Sequence, residues 1–379
     1  MDDPLEAKSL ETKSLEAKSL EAKSLEAKSL EAKSLEAKSL EAKQLVDAII
    51  SDFPDHDPNT RPVHTIGIGV NGYFIASDVA RSYCIAEHFK GQRVRTSVRF
   101  SNGSGSPVQH DGWSDVRGMA TRFHLENDAA TDLIAMTLGE FFSPQVKDFF
   151  EFTKAAQQQP YQMENPWRKI LDMLQLKIPL RNPNPGETTS ADAGMLCYAN
   201  RHRFAQLAVF QAASIGAPVS YARATYHAVH TFVVTAPDGI RRPVRFSWQP
   251  VAGVRTTDPT APPVDKYLHK ELRDRLQQWT ARFILMMTIG EAGDAIDDPT
   301  EPWPAKRLRI VMGTLTLTGV AEDQAAASEH ISFNPCRLLP GIEASGDPIL
   351  HARRGAYENS RERRHGTPCP FNRSGTDAK

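Results

Sequence analysis

The chain has 379 residues, of which 40% are hydrophobic, enough for one large folded domain or two small ones. Its formal net charge of -1 at pH 7 gives no general electrostatic case for binding nucleic acid or an anionic membrane. No apolar run reaches membrane-spanning length, and the N-terminus lacks the short apolar segment of a secretory signal, so we expect neither a membrane span nor secretion. The scattered cysteines form no CxxC motif, which favours reduced thiols in a cytoplasmic protein over a zinc site or a disulfide framework; they are Cys84, Cys197, Cys336 and Cys369.

The N-terminus is repetitive: residues 8–42 are seven units of KSLEA in which Thr12 replaces one alanine. The unit consists mostly of good helix formers, so we predict a helical or partly disordered extension over residues 1–43. Successive leucines in such a helix lie about 140° apart, so they line no single face and form no heptad seam. We interpret the extension as dispensable for chemistry; a tether or an assembly arm is the alternative.

The folded domain is expected over residues 44–366, followed by a polar, disordered tail at 367–379. It opens with one or two amphipathic helical turns at 44–50, and a polar loop containing prolines follows at 54–62.

A glycine-rich strand is predicted over residues 61–77. Gly67, Gly69 and Gly72 spell the GxGxxG dinucleotide fingerprint, but the strand continues beyond them where the fingerprint needs a helix. We therefore reject a Rossmann site and place the next helix over 78–89, capped by Ser77.

Side chains with acid-base or anion-binding chemistry lie in and beside this strand. Arg61 and His64 precede the glycines, and one imidazole can both take up and return a proton when a peroxide bond is split. Downstream, the alternation in VRFS places Arg99 and Ser101 on one face of a second strand. A histidine beside a strand, or a strand with one polar face, is more often structural than functional. These residues therefore indicate a functional site only in combination.

A third cluster lies in LHARRGAYENSRERRHG, residues 350–366, near the C-terminus. Helical spacing puts Arg353, Tyr357, Arg361 and Arg364 on one face. Guanidinium groups near a phenol favour the phenolate, and tyrosine serves as an axial haem ligand in one enzyme class. The alternative interpretation is a solvated basic helix with an incidental tyrosine.

Together and in this order, these motifs resemble the catalase superfamily, and most closely its short, single-domain catalase-related haem peroxidases. The resemblance implies a haem b cofactor (ferric iron protoporphyrin IX) with Tyr357 as the axial iron ligand and Arg353 hydrogen-bonded to the tyrosine oxygen. It implies that His64 is the distal acid-base residue and that Ser101 is bonded to it. The expected partners of the haem propionates are Arg61, Arg99 and Arg364.

The implied fold is α+β: a catalase-like antiparallel eight-stranded β-barrel with flanking helices, plus the N-terminal repetitive helical extension. The sequence agrees, because long strands are separated by few helices. Besides those above, strands are predicted at 226–234, 244–248, 282–289 and 307–320, the last of which ends the sheet. Helices are predicted at 149–158, 201–213 and 265–278, and a loop rich in proline and asparagine at 179–187.

Two further stretches of this core carry specific expectations. Residues 115–120 resemble the family's Arg-Gly-(apolar)-Ala turn, which leads into a strand at 121–125. His227 and His230 are three apart on a strand and so point to opposite faces, which argues against a shared metal. We assign both histidines to the scaffold.

One departure from the family bears on activity: Met136, or its neighbour Thr137, stands where family catalases carry a distal asparagine. A thioether makes the pocket more apolar, which favours a peroxidase that reduces hydrogen peroxide or organic hydroperoxides with a small organic electron donor. The alternatives are a true catalase, a fatty-acid hydroperoxide lyase or allene oxide synthase-like enzyme, and a non-catalytic haem-binding or scaffold protein. The sequence leaves the donor and the physiological peroxide open, and it allows a homo-oligomer.

Overall fold

The computed structural model describes residues 42–50, 57, 60–113, 115–155, 166–176, 195–258, 261 and 263–365. Almost all of the KSLEA repeat, the loop at 179–187 and the tail at 367–379 lie outside the described residues. The expectations for those segments therefore stay predictions.

Strands and helices are spread over the whole described part of the chain. Its strands are β1 (Gly67–Ala76), β2 (Arg93–Asn102), β3 (Arg117–His124), β4 (Ala130–Met136), β5 (Tyr226–Thr235), β6 (Arg241–Pro250), β7 (Ala281–Ile289), β8 (Arg309–Val320) and β9 (Ile342–Ala344). Its α-helices are α1 (residues 42–50), α2 (Ala80–Tyr83), α3 (Val146–Ala155), α4 (Pro166–Leu174), α5 (Met195–Arg201), α6 (Arg203–Ser214), α7 (Tyr267–Gln278) and α8 (Pro348–His365). A π-helical segment, Ala325–His330, follows β8. None of the helices in the described ranges has both the length and the apolar character needed to span a bilayer.

The strands form one antiparallel sheet in the order β4-β3-β2-β1-β8-β7-β6-β5-β9. A pairing of Met136 in β4 with His227 in β5 closes the first eight strands into a barrel. The predicted eight-stranded antiparallel barrel with flanking helices is therefore confirmed. The expectation that 307–320 is the final strand is wrong, because the short β9 adds to β5 outside the closed ring.

Alternation along the strands separates a packed interior from a functional outer face. In β2, Val98 and Phe100 belong to the buried core of the barrel, so Arg99 and Ser101 point outward. The interior is filled by large apolar side chains with almost no exposure, among them Phe74, Phe100, Phe123, Tyr226, Trp248 and Phe283. The polar residues singled out in VRFS therefore lie between the barrel wall and the elements packed against it.

The predicted single helix over 78–89 is wrong. Only α2 and a turn of 3-10 helix at Glu87–Phe89 form, and Cys84 between them is extended. The break has a long-range cause: the Ile85 amide donates to the Thr235 carbonyl at the end of β5. Ser77 does not cap the helix either, because its hydroxyl donates to the Val311 carbonyl at 2.5 Å.

The predicted turn over 115–120 is also wrong in part, because β3 already begins at Arg117. Gly118 pairs with Ser101 in β2 and with Met136 in β4. The predicted helix over 201–213 corresponds to α6, whereas α5, which ends just before the extended His202, was not predicted. The predicted helix at 350–366 is confirmed as α8, which starts slightly earlier at Pro348.

Candidate active site between the barrel and the C-terminal helix

His64 is held in an unusual backbone conformation just before β1. Its φ of 57° lies in the left-handed region that non-glycine residues rarely adopt, and such positions concentrate at functional sites. The loop that follows β2 fixes this conformation, because the His64 amide donates to the Gly103 carbonyl at 3.2 Å. Asp115 holds that loop in turn, accepting hydrogen bonds from the amides of Gly103 at 2.8 Å and Ser104 at 3.2 Å.

The imidazole of His64 rests against the outer face of the barrel. Its Nδ1 is 3.0 Å from the Ser101 hydroxyl oxygen, which leaves Nε2 for other chemistry. A Cβ at Gly118 would lie 2.9 Å from that Nδ1, so glycine at this position lets the ring sit flat on β3. Burial, followed by the charges of Arg99 and Arg353, lowers the pKa of His64 to about 3. His64 is therefore a neutral base at neutral pH.

Tyr357 lies on α8 and is tied to the barrel through a chain of hydrogen bonds. Arg353 Nη2 donates to the phenol oxygen at 2.8 Å, and Arg353 Nη1 lies 2.8 Å from His230 Nε2. Since a guanidinium can only donate, His230 Nε2 accepts, and Nδ1 donates to the Asp347 carboxylate at 2.6 Å. Burial lowers the pKa of His230, which agrees with a neutral ring bonded on both sides.

Asp347 also fixes the start of α8. Its second carboxylate oxygen accepts from the amides of Ile349 at 2.8 Å and Leu350 at 3.2 Å, which is the arrangement of an N-cap. Asp347 was not predicted from the sequence. His230, which the sequence assigned to the scaffold, instead links Asp347 to Arg353. Asp-Pro is a signal for a helix start, but nothing local in the sequence connects His230 with Arg353.

Three arginines converge beside His64 on the carboxylate of Glu329, in the π-helical segment. Glu329 oxygens lie 3.3 Å from Arg99, 3.8 Å from Arg61 and 3.8 Å from Arg364. Burial lowers the pKa of all three guanidinium groups, that of Arg364 to about 10. The sequence analysis identified the arginines but not Glu329, because a glutamate in a polar helical segment carries no distinguishing local pattern.

The two halves of the site lie close enough to act on each other. The charge of Arg353 on α8 lowers the pKa of His64, and Tyr357 acts to raise the pKa of Arg61. Such electrostatic effects fall off over short distances. Hydrogen bonds, ion pairs and short-range charge effects thus connect every residue predicted for the site: Arg61, His64, Arg99, Ser101, Arg353, Tyr357 and Arg364.

Met136, rather than Thr137, occupies the position beside His64. Met136 pairs with Gly118, whose Cα faces the His64 ring, so the two residues share the outer face of the sheet. The Thr137 hydroxyl is already hydrogen-bonded, because it accepts a hydrogen bond from the Arg117 amide at 3.0 Å. The Met136 side chain packs against an apolar cluster of Phe141, Val229 and Ile349.

Comparison with known proteins identifies the family of the chain. The family model for catalase matches residues 21–179 and 181–373. The chain belongs to the catalase family. Proteins of the catalase family are haem oxidoreductases that act on peroxide.

The chain is similar to catalase-family proteins of its own length. A catalase-related peroxidase from Mycolicibacterium paratuberculosis is 30% identical over 326 residues, which are 85% of this chain and 94% of that protein. A catalase-related peroxidase from Synechococcus elongatus is 29% identical over 307 residues, 80% of this chain and 83% of that protein. A fungal catalase structure shares the fold, with a TM-score of 0.66 and 24% identity over 81% of this chain and 59% of that chain.

The depressed pKa of His64 predicts how stability depends on pH. In the unfolded chain His64 takes up a proton near pH 6.5, whereas in the folded chain it does so only near pH 3. The contribution of His64 to the free energy of unfolding is therefore complete above pH 6.5 and is lost as the pH falls towards 3. The free energy of unfolding of His64→Gln should therefore rise less steeply with pH in this window. The difference in slope should correspond to about one proton fewer taken up on unfolding. Urea unfolding at intervals between pH 4 and 8 measures the slope. Ser101→Ala, which keeps the imidazole, should retain the wild-type slope, and an unchanged slope in His64→Gln would contradict the assignment.

Proposed function

We propose that the chain binds haem b between His64 and Tyr357 and works as a peroxidase that reduces hydrogen peroxide or organic hydroperoxides with a small organic electron donor. The observation that carries this proposal is that one arginine links a neutral histidine and a tyrosine: Arg353 donates to the Tyr357 oxygen, and its charge also lowers the pKa of His64. Neither residue alone requires a cofactor. Together they offer a base on one side of a bound group and a ligand on the other.

The residues present fit the cofactor. The Tyr357 oxygen is an oxygen donor of the type used as an axial ligand in catalases, and the Arg353 guanidinium that donates to it stabilises negative charge there. Three arginines sharing one carboxylate leave an excess of buried positive charge, which suits the two haem propionates. The Arg61 Nε is buried without a hydrogen-bond partner, as expected for a group meant to meet another anion.

Haem iron, when bound, would supply the redox chemistry of peroxide cleavage. The contribution of the protein is to move and hold protons. His64 Nε2 accepts the proton of the hydroperoxide O–H group and returns it to the oxygen that leaves as water or an alcohol, while the Ser101 hydroxyl holds Nδ1 in place. A neutral imidazole is required for the first step, and the low pKa of His64 provides it.

The distal pocket favours peroxide reduction over hydrogen peroxide dismutation. Family catalases carry an asparagine where this chain has Met136, and a thioether offers no N–H donor to hold a second hydrogen peroxide. The apolar cluster of Phe141, Val229 and Ile349 packs against Met136, so the surroundings of this position are apolar, which suits an organic hydroperoxide better than hydrogen peroxide. Dismutation remains the second candidate, because relatives named catalase also match the chain.

A kinetic experiment tests the role of His64. With haem loaded and an alkyl hydroperoxide plus a chromogenic donor supplied, His64→Gln should slow donor oxidation by roughly 10²–10⁴-fold, the usual contribution of a positioned acid-base group. The haem content and the absorption spectrum of the resting protein should stay as in the wild type. Wild-type turnover in His64→Gln would rule out the proposed role. Hydroperoxide consumption without donor oxidation would instead indicate a lyase or isomerase.

Substitution of Met136 tests the choice between the two peroxide reactions. Met136→Asn restores an amide donor beside His64, so oxygen release from hydrogen peroxide should rise several-fold relative to donor oxidation. Thr137→Ser, which keeps the hydroxyl bonded to Arg117, is the matched control and should leave the ratio unchanged. An oxygen electrode and a donor absorbance assay measure the two rates. Rapid oxygen release by the wild type, unaffected by Met136→Asn, would establish a catalase instead.

A further inference from the structure

The segment that carries Glu329 is firmly anchored to the barrel, although the Glu329 side chain itself is partly exposed. The π-helical segment that carries it is anchored to β1, because the side-chain amide of Gln324 bonds both the amide of Gly69 at 2.8 Å and its carbonyl at 2.9 Å. A Cβ at Gly69 would lie 2.6 Å from the Ala327 side chain, so glycine permits this close approach. At the end of the segment, the Ser328 hydroxyl is 3.0 Å from Glu329 Oε1.

The contacts of Glu329 with the arginines are nevertheless poor. The side chains of Arg99 and Arg364 are 4% and 3% exposed, whereas that of Glu329 is 37% exposed. Well-formed hydrogen bonds between guanidinium and carboxylate are about 2.7–2.9 Å long, but here the nearest approaches are 3.3 to 3.8 Å. Glu329 is therefore the most exposed member of the cluster, and its ion pairs with the arginines are longer than well-formed ones.

The arginines are instead held by the backbone. Arg61 donates to the carbonyls of Ser328 and Ile331 at 2.8 Å, and Arg364 donates to the carbonyl of Glu329 at 2.7 Å. These bonds keep the guanidinium groups in position whether or not the Glu329 carboxylate stays near them. The carboxylate can thus move towards solvent without dismantling the cluster.

We propose that Glu329 is a placeholder for a haem propionate: its carboxylate neutralises part of the Arg61, Arg99 and Arg364 cluster before loading and gives way when the cofactor enters. The inference rests on the proposed haem binding. An ionised carboxylate here lowers the cost of burying three positive charges in the unloaded chain. The same carboxylate competes with the incoming propionates and repels them, so it weakens retention of the cofactor.

The experiment compares the wild type with Glu329→Gln, which removes the charge and keeps the shape. From haem-loaded full-length protein, transfer of haem to an excess of a haem-scavenging protein is followed by absorbance. We expect transfer to be about tenfold slower in Glu329→Gln, the scale of one hydrogen bond to a charged group. The unloaded variant should unfold at a lower urea concentration than the wild type. If it folds only with haem present, the transfer measurement still decides the question.

Two controls test whether the effect depends on the haem propionates and on Glu329 in particular. Haem dimethyl ester has no carboxylates, so the two proteins should lose it at the same rate. Glu343→Gln removes a carboxylate whose partner is the exposed Arg241, and it should behave as the wild type. Equal or faster loss of haem from Glu329→Gln, or an equal effect on the ester, would overturn the inference alone. Wild-type protein that takes up no haem would overturn the proposed function, and the inference with it.

Discussion

The hydrogen-bond chain from Asp347 through His230 and Arg353 to Tyr357 is the constraint on which the site depends. It joins β5 of the barrel to α8, and Asp347 at the same time caps that helix. The start of α8 and the position of Tyr357 are thereby set by one buried carboxylate. Because Arg364 lies further along the same helix, its approach to Glu329 follows from the same anchor.

The site also concentrates positive charge in a poorly solvated place, which is costly for a protein to maintain. The structure tolerates Arg61, Arg99 and Arg364 together because backbone carbonyls and Glu329 bind them. Burial contributes most to lowering the pKa of the neighbouring His64, and the charges of Arg99, Arg353 and Arg61 lower it further. Two of the clustered arginines, Arg99 and Arg61, therefore also help to keep His64 neutral.

The sequence was sufficient for features whose signal is local. Alternation in VRFS predicted that Arg99 and Ser101 share one face of a strand, and helical spacing predicted that Arg353 lies on the same helix face as Tyr357. Contacts between distant segments left no such signal: His230 and Glu329 are residue types with many ordinary roles until the fold brings their partners near. The broken helix at residues 78–89 has the same origin, since a bond to the end of β5 interrupts a segment that local preference would continue.

The central proposal is that haem binds between His64 and Tyr357. The most direct measurement is the absorption spectrum of purified, haem-loaded protein in the wild type and in Tyr357→Phe, with Tyr226→Phe as the control because that buried tyrosine lies in the barrel core. We predict a high-spin ferric Soret band in the wild type and in the control, and its loss or shift in Tyr357→Phe. Identical spectra in all three proteins, or a folded wild type that takes up no haem, would contradict the account.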